Sequence, residues 1–158
     1  AEHPDTGTKI AGFEVPHWSR IMLMAAQCYE AVGLGYLGVD IEPADRAAHN
    51  ALGVARRYFS AAETEALSAL QGEELQRAFM HAWACKEAVV KASGLGIANQ
   101  LCRFTVDVNP DNPPAMLDML DDDPTQWRLA MVRPAPWAIA AVAVRQPELA
   151  LRGFRLES

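Results

Sequence analysis

The hydrophobic pattern along the 158-residue chain changes period twice. Residues 1–12 (AEHPDTGTKIAG) are polar and carry glycine, which predicts a flexible arm ahead of a domain over 13–158. Two apolar runs of strand length follow, RIMLMAAQC and YLGVDIE, joined by YEAVGLG; they predict a hairpin or a pair of neighbouring strands. From Pro43 the stretch PADRAAHNALGVARRYF becomes helix-like. Ser60 and Glu63 then have the spacing of a capping box, in which the hydroxyl accepts from an early backbone N–H and the carboxylate reaches back. A short helix to about Leu70 is expected there, interrupted at Gly72. Over 73–93, Phe79, Ala82, Cys85 and Val89 recur at helical spacing, predicting a helix of roughly 30 Å. Gly94 stands where a left-handed cap belongs. Beyond it the period falls to two: in RFTVDV, Phe104, Val106 and Val108 alternate with polar residues. NPDNPP and DDDP mark turns, AMLDML, WRLAMVR and WAIAAVAV predict strands, and RGFRL a last edge. The expected class is α+β, an antiparallel sheet packed against one long helix.

Composition narrows the function classes. With 14 basic and 20 acidic side chains the chain carries a formal charge of −6, the wrong sign for a general nucleic-acid or anionic-membrane binder. No run approaches the roughly 20 apolar residues needed to span a bilayer. Cys28, Cys85 and Cys102 have neither metal-ligand nor disulfide-framework spacing, and their place in core-like segments favours reduced thiols in a cytoplasmic protein. No signal peptide opens the chain. It also starts without an initiator methionine, as a processed, trimmed or partial chain would.

Chemistry concentrates in two short stretches. In GVDIE (38–42), Asp40 and Glu42 lie two apart on a strand, so both carboxylates point to one side. Carboxylates held together repel unless a cation or a shared proton neutralises them. A solvated strand edge leading into a helix N-terminus would also favour acids. In WACKEAVVK (83–91), Met80, Trp83, Glu87 and Lys91 share a helix face distinct from the apolar stripe. Glu87 and Lys91 are equally the favoured order for an ordinary i,i+4 ion pair. Lys86 adds a cation one step round, and SGLGI supplies Gly94 and Gly96, either a plain cap or amides able to approach a phosphate. Taken together, Asp40, Glu42 and Glu87 offer hard oxygen donors suited to Mg²⁺, with Lys91 near the phosphates of a substrate. That set suits phosphoryl-type transfer.

GVDIE followed by WACKEAVVK resembles the paired motifs of the 4′-phosphopantetheinyl transferase superfamily. RRYFSAAETEAL and KASGLGI are similar to its intervening and following segments, so the resemblance covers roughly residues 13 to 145. The internal position of the acidic pair is similar to the larger, surfactin-synthetase-activator type. The resemblance implies Mg²⁺-dependent transfer of phosphopantetheine from coenzyme A to a serine of an acyl or peptidyl carrier protein, releasing adenosine 3′,5′-bisphosphate. By position it implies Asp40, Glu42 and Glu87 as metal ligands and Glu87 as the base for the serine hydroxyl. Lys91 would stabilise the pyrophosphate, with Lys86 a weaker phosphate contact. FEVPHWS (13–19) is similar to a family segment whose histidine touches coenzyme A, which implicates His17, although Glu14 and Pro16 replace hydrogen-bonding residues of that pattern.

The larger type has a further N-terminal half for which some 35 residues before GVDIE leave no room. Three explanations stay open: another copy supplies it in a homo-oligomer, it has been removed, or it is absent and the chain is a catalytically impaired coenzyme A- or carrier-binding relative. A domain whose acids and lysines are only surface ion pairs is the remaining alternative. Arg46, Arg56 and Arg57 form a basic group after the acidic pair, where an acidic carrier could dock; a solvated helix face explains them equally.

Overall fold

The computed structural model describes residues 8–10, 13–15, 37–46, 48–94 and 100–148. Of these, 8–10 and 13–15 are described by their backbone. Within the stretch expected as a loose arm, strand β1 (Thr8–Ile10) pairs antiparallel with β2 (Phe13–Val15), so a small hairpin crosses the anticipated boundary at residue 12. RIMLMAAQC and RGFRL lie outside the described residues.

The main sheet has the order β3–β7–β6 and is antiparallel throughout, formed by β3 (Leu37–Pro43), β6 (Arg128–Ala135) and β7 (Ala138–Val144). The strand carrying GVDIE therefore pairs with the last described strand, Leu37 opposite Val144 and Pro43 opposite Ala138. Everything between them in sequence is an insertion into this pair. A second, two-stranded ladder joins β4 (Phe104–Val106) to β5 (Met116–Met119), with a register shift at Thr105/Val106. The strands after the long helix thus fall in two separate antiparallel ladders.

Three helices are described: α1 (Ala51–Tyr58), α2 (Ala61–Ser68) and α3 (Gly72–Ser93). Helical structure was expected from Pro43, but it begins only at Ala51. Ala44 N–H instead extends the sheet by donating to Trp137 O at 2.7 Å, and Asn50 caps α1 by accepting from Gly53 N–H. At α2 the capping box forms in full, Ser60 with Glu63. Gly94 ends α3 at φ 69°, the left-handed cap.

Close packing of α3 on β3 positions everything that follows. Gly38 lies directly beneath α3: a Cβ built there would overlap the backbone of Ala88 and Ala92. The expected stripe of Phe79, Ala82, Cys85 and Val89 is buried, and the core continues through Ala84, Ala88, Ala141 and Ala143. Small side chains on both elements let the backbones approach. Among the described residues no helix is long and apolar enough to cross a membrane.

Candidate active site

Because β3 alternates, Gly38, Asp40 and Glu42 share the face toward α3. The glycine permits contact, and the next two residues on that face are the acids. Asp40, Glu42 and Glu87 are only 5%, 8% and 6% exposed, so three carboxylates are held nearly out of water. Their charges interact. Burial raises the Asp40 pKa above its ordinary value; the bond to Lys91 opposes this and Glu42 adds to it. Burial likewise raises Glu87, reinforced by Asp40 and Glu42 and opposed by Lys91.

Lys91 Nζ donates to Asp40 Oδ1 at 2.6 Å, joining the two sequence motifs across 51 positions. The i,i+4 pair expected between Glu87 and Lys91 is therefore replaced by one between β3 and α3. Glu42 is held on both oxygens: Trp83 Nε1–H donates to Oε1 at 3.0 Å and Arg46 Nη1 to Oε2 at 2.5 Å. Trp83 is oriented by stacking with Phe59 and Phe79, at centroid distances of 6.3 and 6.0 Å. Among the described residues no side chain donates to Glu87, which leaves its carboxylate available.

The three acids do not form a ready-made chelate. Among the described residues no group of three or more His, Cys, Asp or Glu side chains is arranged to hold a metal ion. Lys91 and Arg46 each engage one oxygen, of Asp40 and of Glu42 respectively. The donor set nevertheless fits a hard divalent cation. Asp40 Oδ2 is buried without a hydrogen-bond partner, and the mutual repulsion of the acids is the electrostatic condition a cation relieves.

Two residues expected as phosphate contacts have partners within the protein. Lys86 is fully buried, its Nζ bonded to Glu63 Oε1 at 2.8 Å and Phe104 O at 2.7 Å, so it cannot reach a ligand in solvent. Gly94 N–H donates to Lys91 O at 3.3 Å, so that amide serves the helix cap. His17 and Gly96 lie outside the described residues. Arg56 and Arg57 are exposed in the last turn of α1, whereas Arg46 is tied to Glu42. The roles of Gly38 and Arg46 at the acids were not anticipated. A glycine at the i−2 position of the first acid was the available signal for the former.

Beside Glu42 a groove of about 950 Å³ opens between the loop after β3, the N-terminal half of α3 and β6. Arg46, Met80, His81 and Ile139 line it, and Ile139 is the cross-strand neighbour of Glu42. Asp40, Glu42, Glu87 and Lys91 are not among its walls, so the charged centre lies outside the groove.

A family model described as the 4′-phosphopantetheinyl transferase superfamily matches residues 36–142, a span that contains both motifs, all three helices and nearly all of the main sheet. The chain belongs to that superfamily. A second model, sugar-transfer associated ATP-grasp, matches residues 1–46. Among similar proteins, slr0495 of Synechocystis sp. is 36% identical over 107 residues, covering 65% of this chain and 42% of the relative. The 4′-phosphopantetheinyl transferase HetI of Nostoc sp. is 33% identical over 108 residues, 68% of this chain and 43% of HetI. The chain thus spans less than half the length of these relatives. A holo-(acyl-carrier-protein) synthase from Bacillus anthracis, solved in complex with coenzyme A (3′,5′-ADP), superposes with a TM-score of 0.54 at 22% identity, covering 72% of this chain and 97% of that one. That likeness supports the mixed helix and antiparallel-sheet fold.

Proposed function

We propose that this chain transfers 4′-phosphopantetheine from coenzyme A to a serine of an acyl or peptidyl carrier protein. The observation that carries the reading is the Lys91–Asp40 bond, which brings GVDIE and WACKEAVVK together with Glu87 beside them. In the reaction the serine oxygen forms a bond to the phosphorus bearing pantetheine. The bond from that phosphorus to the bridging oxygen breaks, and adenosine 3′,5′-bisphosphate leaves. Glu87 accepts the serine proton, and its raised pKa makes it a better base than an ordinary carboxylate. Lys91 screens the pyrophosphate and supplies a proton for the departing oxygen.

Asp40, Glu42 and Glu87 are the residues that would hold Mg²⁺. Bound there, the ion would lower the repulsion between an incoming oxygen and the pyrophosphate. His17 and Gly96, together with Lys91, are proposed coenzyme A contacts. The exposed Arg56 and Arg57 offer a local basic surface on an acidic protein, which suits an acidic carrier. The buried thiol of Cys85, with coenzyme A as donor, supports a cytoplasmic setting.

The share of the relatives that the chain covers, 42% and 43%, favours a second reading, in which it binds coenzyme A or the carrier without turnover unless another copy or a further segment completes the site. Intact-mass analysis of an apo carrier incubated with the chain, coenzyme A and Mg²⁺ separates the two. The first reading predicts a carrier heavier by one phosphopantetheine. Magnesium-dependent coenzyme A binding with an unchanged carrier supports the second.

A further inference from the structure

The lysine beside Glu87 points into the protein, and its contacts have no part in the proposed chemistry. Lys86 Nζ donates to Glu63 Oε1 and Phe104 O and lies over the Phe104 ring at 4.1 Å and the Phe59 ring at 5.3 Å. Glu63 is equally enclosed. Its Oε1 also accepts from Val106 N–H at 2.7 Å, and its Oε2 from Ser60 N–H at 2.9 Å. Ser60 Oγ in turn accepts from Glu63 N–H and from Thr105 Oγ1. One buried ion pair therefore ties α3 to the first turn of α2 and to β4, mostly through backbone groups that cannot move independently.

On the opposite side α3 meets β3 through Gly38, Ala88 and Ala92. Contact between such small groups is non-directional, so on this side the directional restraints among the described residues are the Trp83–Glu42 and Lys91–Asp40 bonds that the site itself makes. Hydrogen bonds to fixed backbone partners are directional, and specifying one arrangement is the best-attested use of a buried polar pair. Glu87 follows Lys86 by about 100° on the helix and Lys91 follows Glu87 by a little over one turn, so a roll that displaces one displaces all three.

We infer that Glu63 and Lys86 are positioning residues: their buried ion pair sets the roll of α3 that aims Glu87 and Lys91 at Asp40. Its value to transfer rests on the function proposed above, but the geometry can be read without turnover. Trp83 Nε1–H, bonded to Glu42 on the site side of the same helix, is the reporter.

The test compares wild type with Glu63→Gln/Lys86→Met, which keeps the volume of both side chains and leaves no unpaired charge. Lys86→Met alone, in which Glu63 keeps its two backbone donors, is the second variant should the first not fold. Thermal melts establish folding, and hydrogen exchange of the Trp83 indole is followed by NMR, assigned with Trp83→Phe. The inference predicts indole exchange at least about tenfold faster in a variant that melts well above the measuring temperature. With transfer measured in parallel, kcat falls by about tenfold or more while KM for coenzyme A stays within about threefold. Unchanged indole protection and kcat in a folded variant would overturn it, leaving the pair a purely structural contact. Absence of transfer by wild type would count against the proposed function instead, and the exchange rate would still decide the inference.

Discussion

Replacing Gly38 by alanine should damage both the fold and the site, because that position is where β3 and α3 touch. The added Cβ would stand 3.0 Å from the Ala88 carbonyl carbon and closer still to Ala88 O and Ala92 N. Carbon atoms pack best at about 3.5–4.0 Å, so the strand must withdraw by roughly 1 Å. The obstacles are backbone atoms of a long helix, which cannot rotate aside as a side chain would. Overpacking of this kind costs up to about 3 kcal/mol, and the rigid neighbours place Gly38→Ala at that upper end. For a chain of this size such a loss lowers Tm by roughly 6–12 °C. The same withdrawal stretches the 2.6 Å Lys91–Asp40 bond beyond hydrogen-bonding range. Misplacement by about 1 Å can reduce a rate by roughly 100-fold. Circular-dichroism melts and carrier mass shift in the remaining folded protein measure the two effects separately. An alanine variant with wild-type Tm and wild-type transfer would refute the packing argument.

Glu87→Gln should abolish transfer yet raise Tm at pH 7.5. Burial and the neighbouring acids raise the folded pKa of Glu87, so the native state holds that proton more tightly than the unfolded chain and loses stability as pH rises between the unfolded and folded values. The advantage of glutamine should vanish below the ordinary carboxylate range; melts that show no pH dependence in the difference would contradict it. The same raised pKa predicts that wild-type transfer declines on acidification earlier than an ordinary glutamate would allow, readable in the pH profile of kcat/KM. Arg46→Gln should tighten divalent-ion binding by about two- to fivefold, the scale of a half-exposed ion pair of up to ~1 kcal/mol, because Arg46 competes for Glu42 Oε2. Calorimetry showing weaker binding would mean that Arg46 supports the ion rather than competing with it. Arg56→Glu/Arg57→Glu should raise KM for the carrier while sparing that for coenzyme A; unchanged carrier kinetics would remove α1 from the docking surface.

Local features of the fold were legible because they depend on near neighbours in sequence. The Ser60–Glu63 box, the long helix and its Gly94 cap, the alternation of β4 and the apolar run of β7 follow from capping, period and composition. Long-range choices were not. Nothing near GVDIE specifies β7 as its partner, and the start of α1 depended on Ala44 bonding to Trp137, 93 positions away. At the site, the alternation of β3 placed Asp40 and Glu42 on one side, and helical spacing placed Glu87 and Lys91 on a common face. Helix geometry could not say which cations would hold the acids. Lys91 chose Asp40 over its neighbour Glu87, and Arg46, read as part of a docking surface, closed on Glu42. Lys86 shows the same limit: its charge suggested a phosphate, but its direction is set by a buried carboxylate 23 positions earlier.

The reading of this chain depends on carboxylates from β3 and α3 acting on a common divalent cation, although in the structure two of them are engaged by Lys91 and Arg46. Titration with Mn²⁺, followed by its electron paramagnetic resonance signal in the presence of coenzyme A, addresses this directly. A single bound ion is predicted, with Asp40→Asn, Glu42→Gln and Glu87→Gln each weakening it by about tenfold or more. An absence of binding, or an affinity that none of the three substitutions alters, would contradict it.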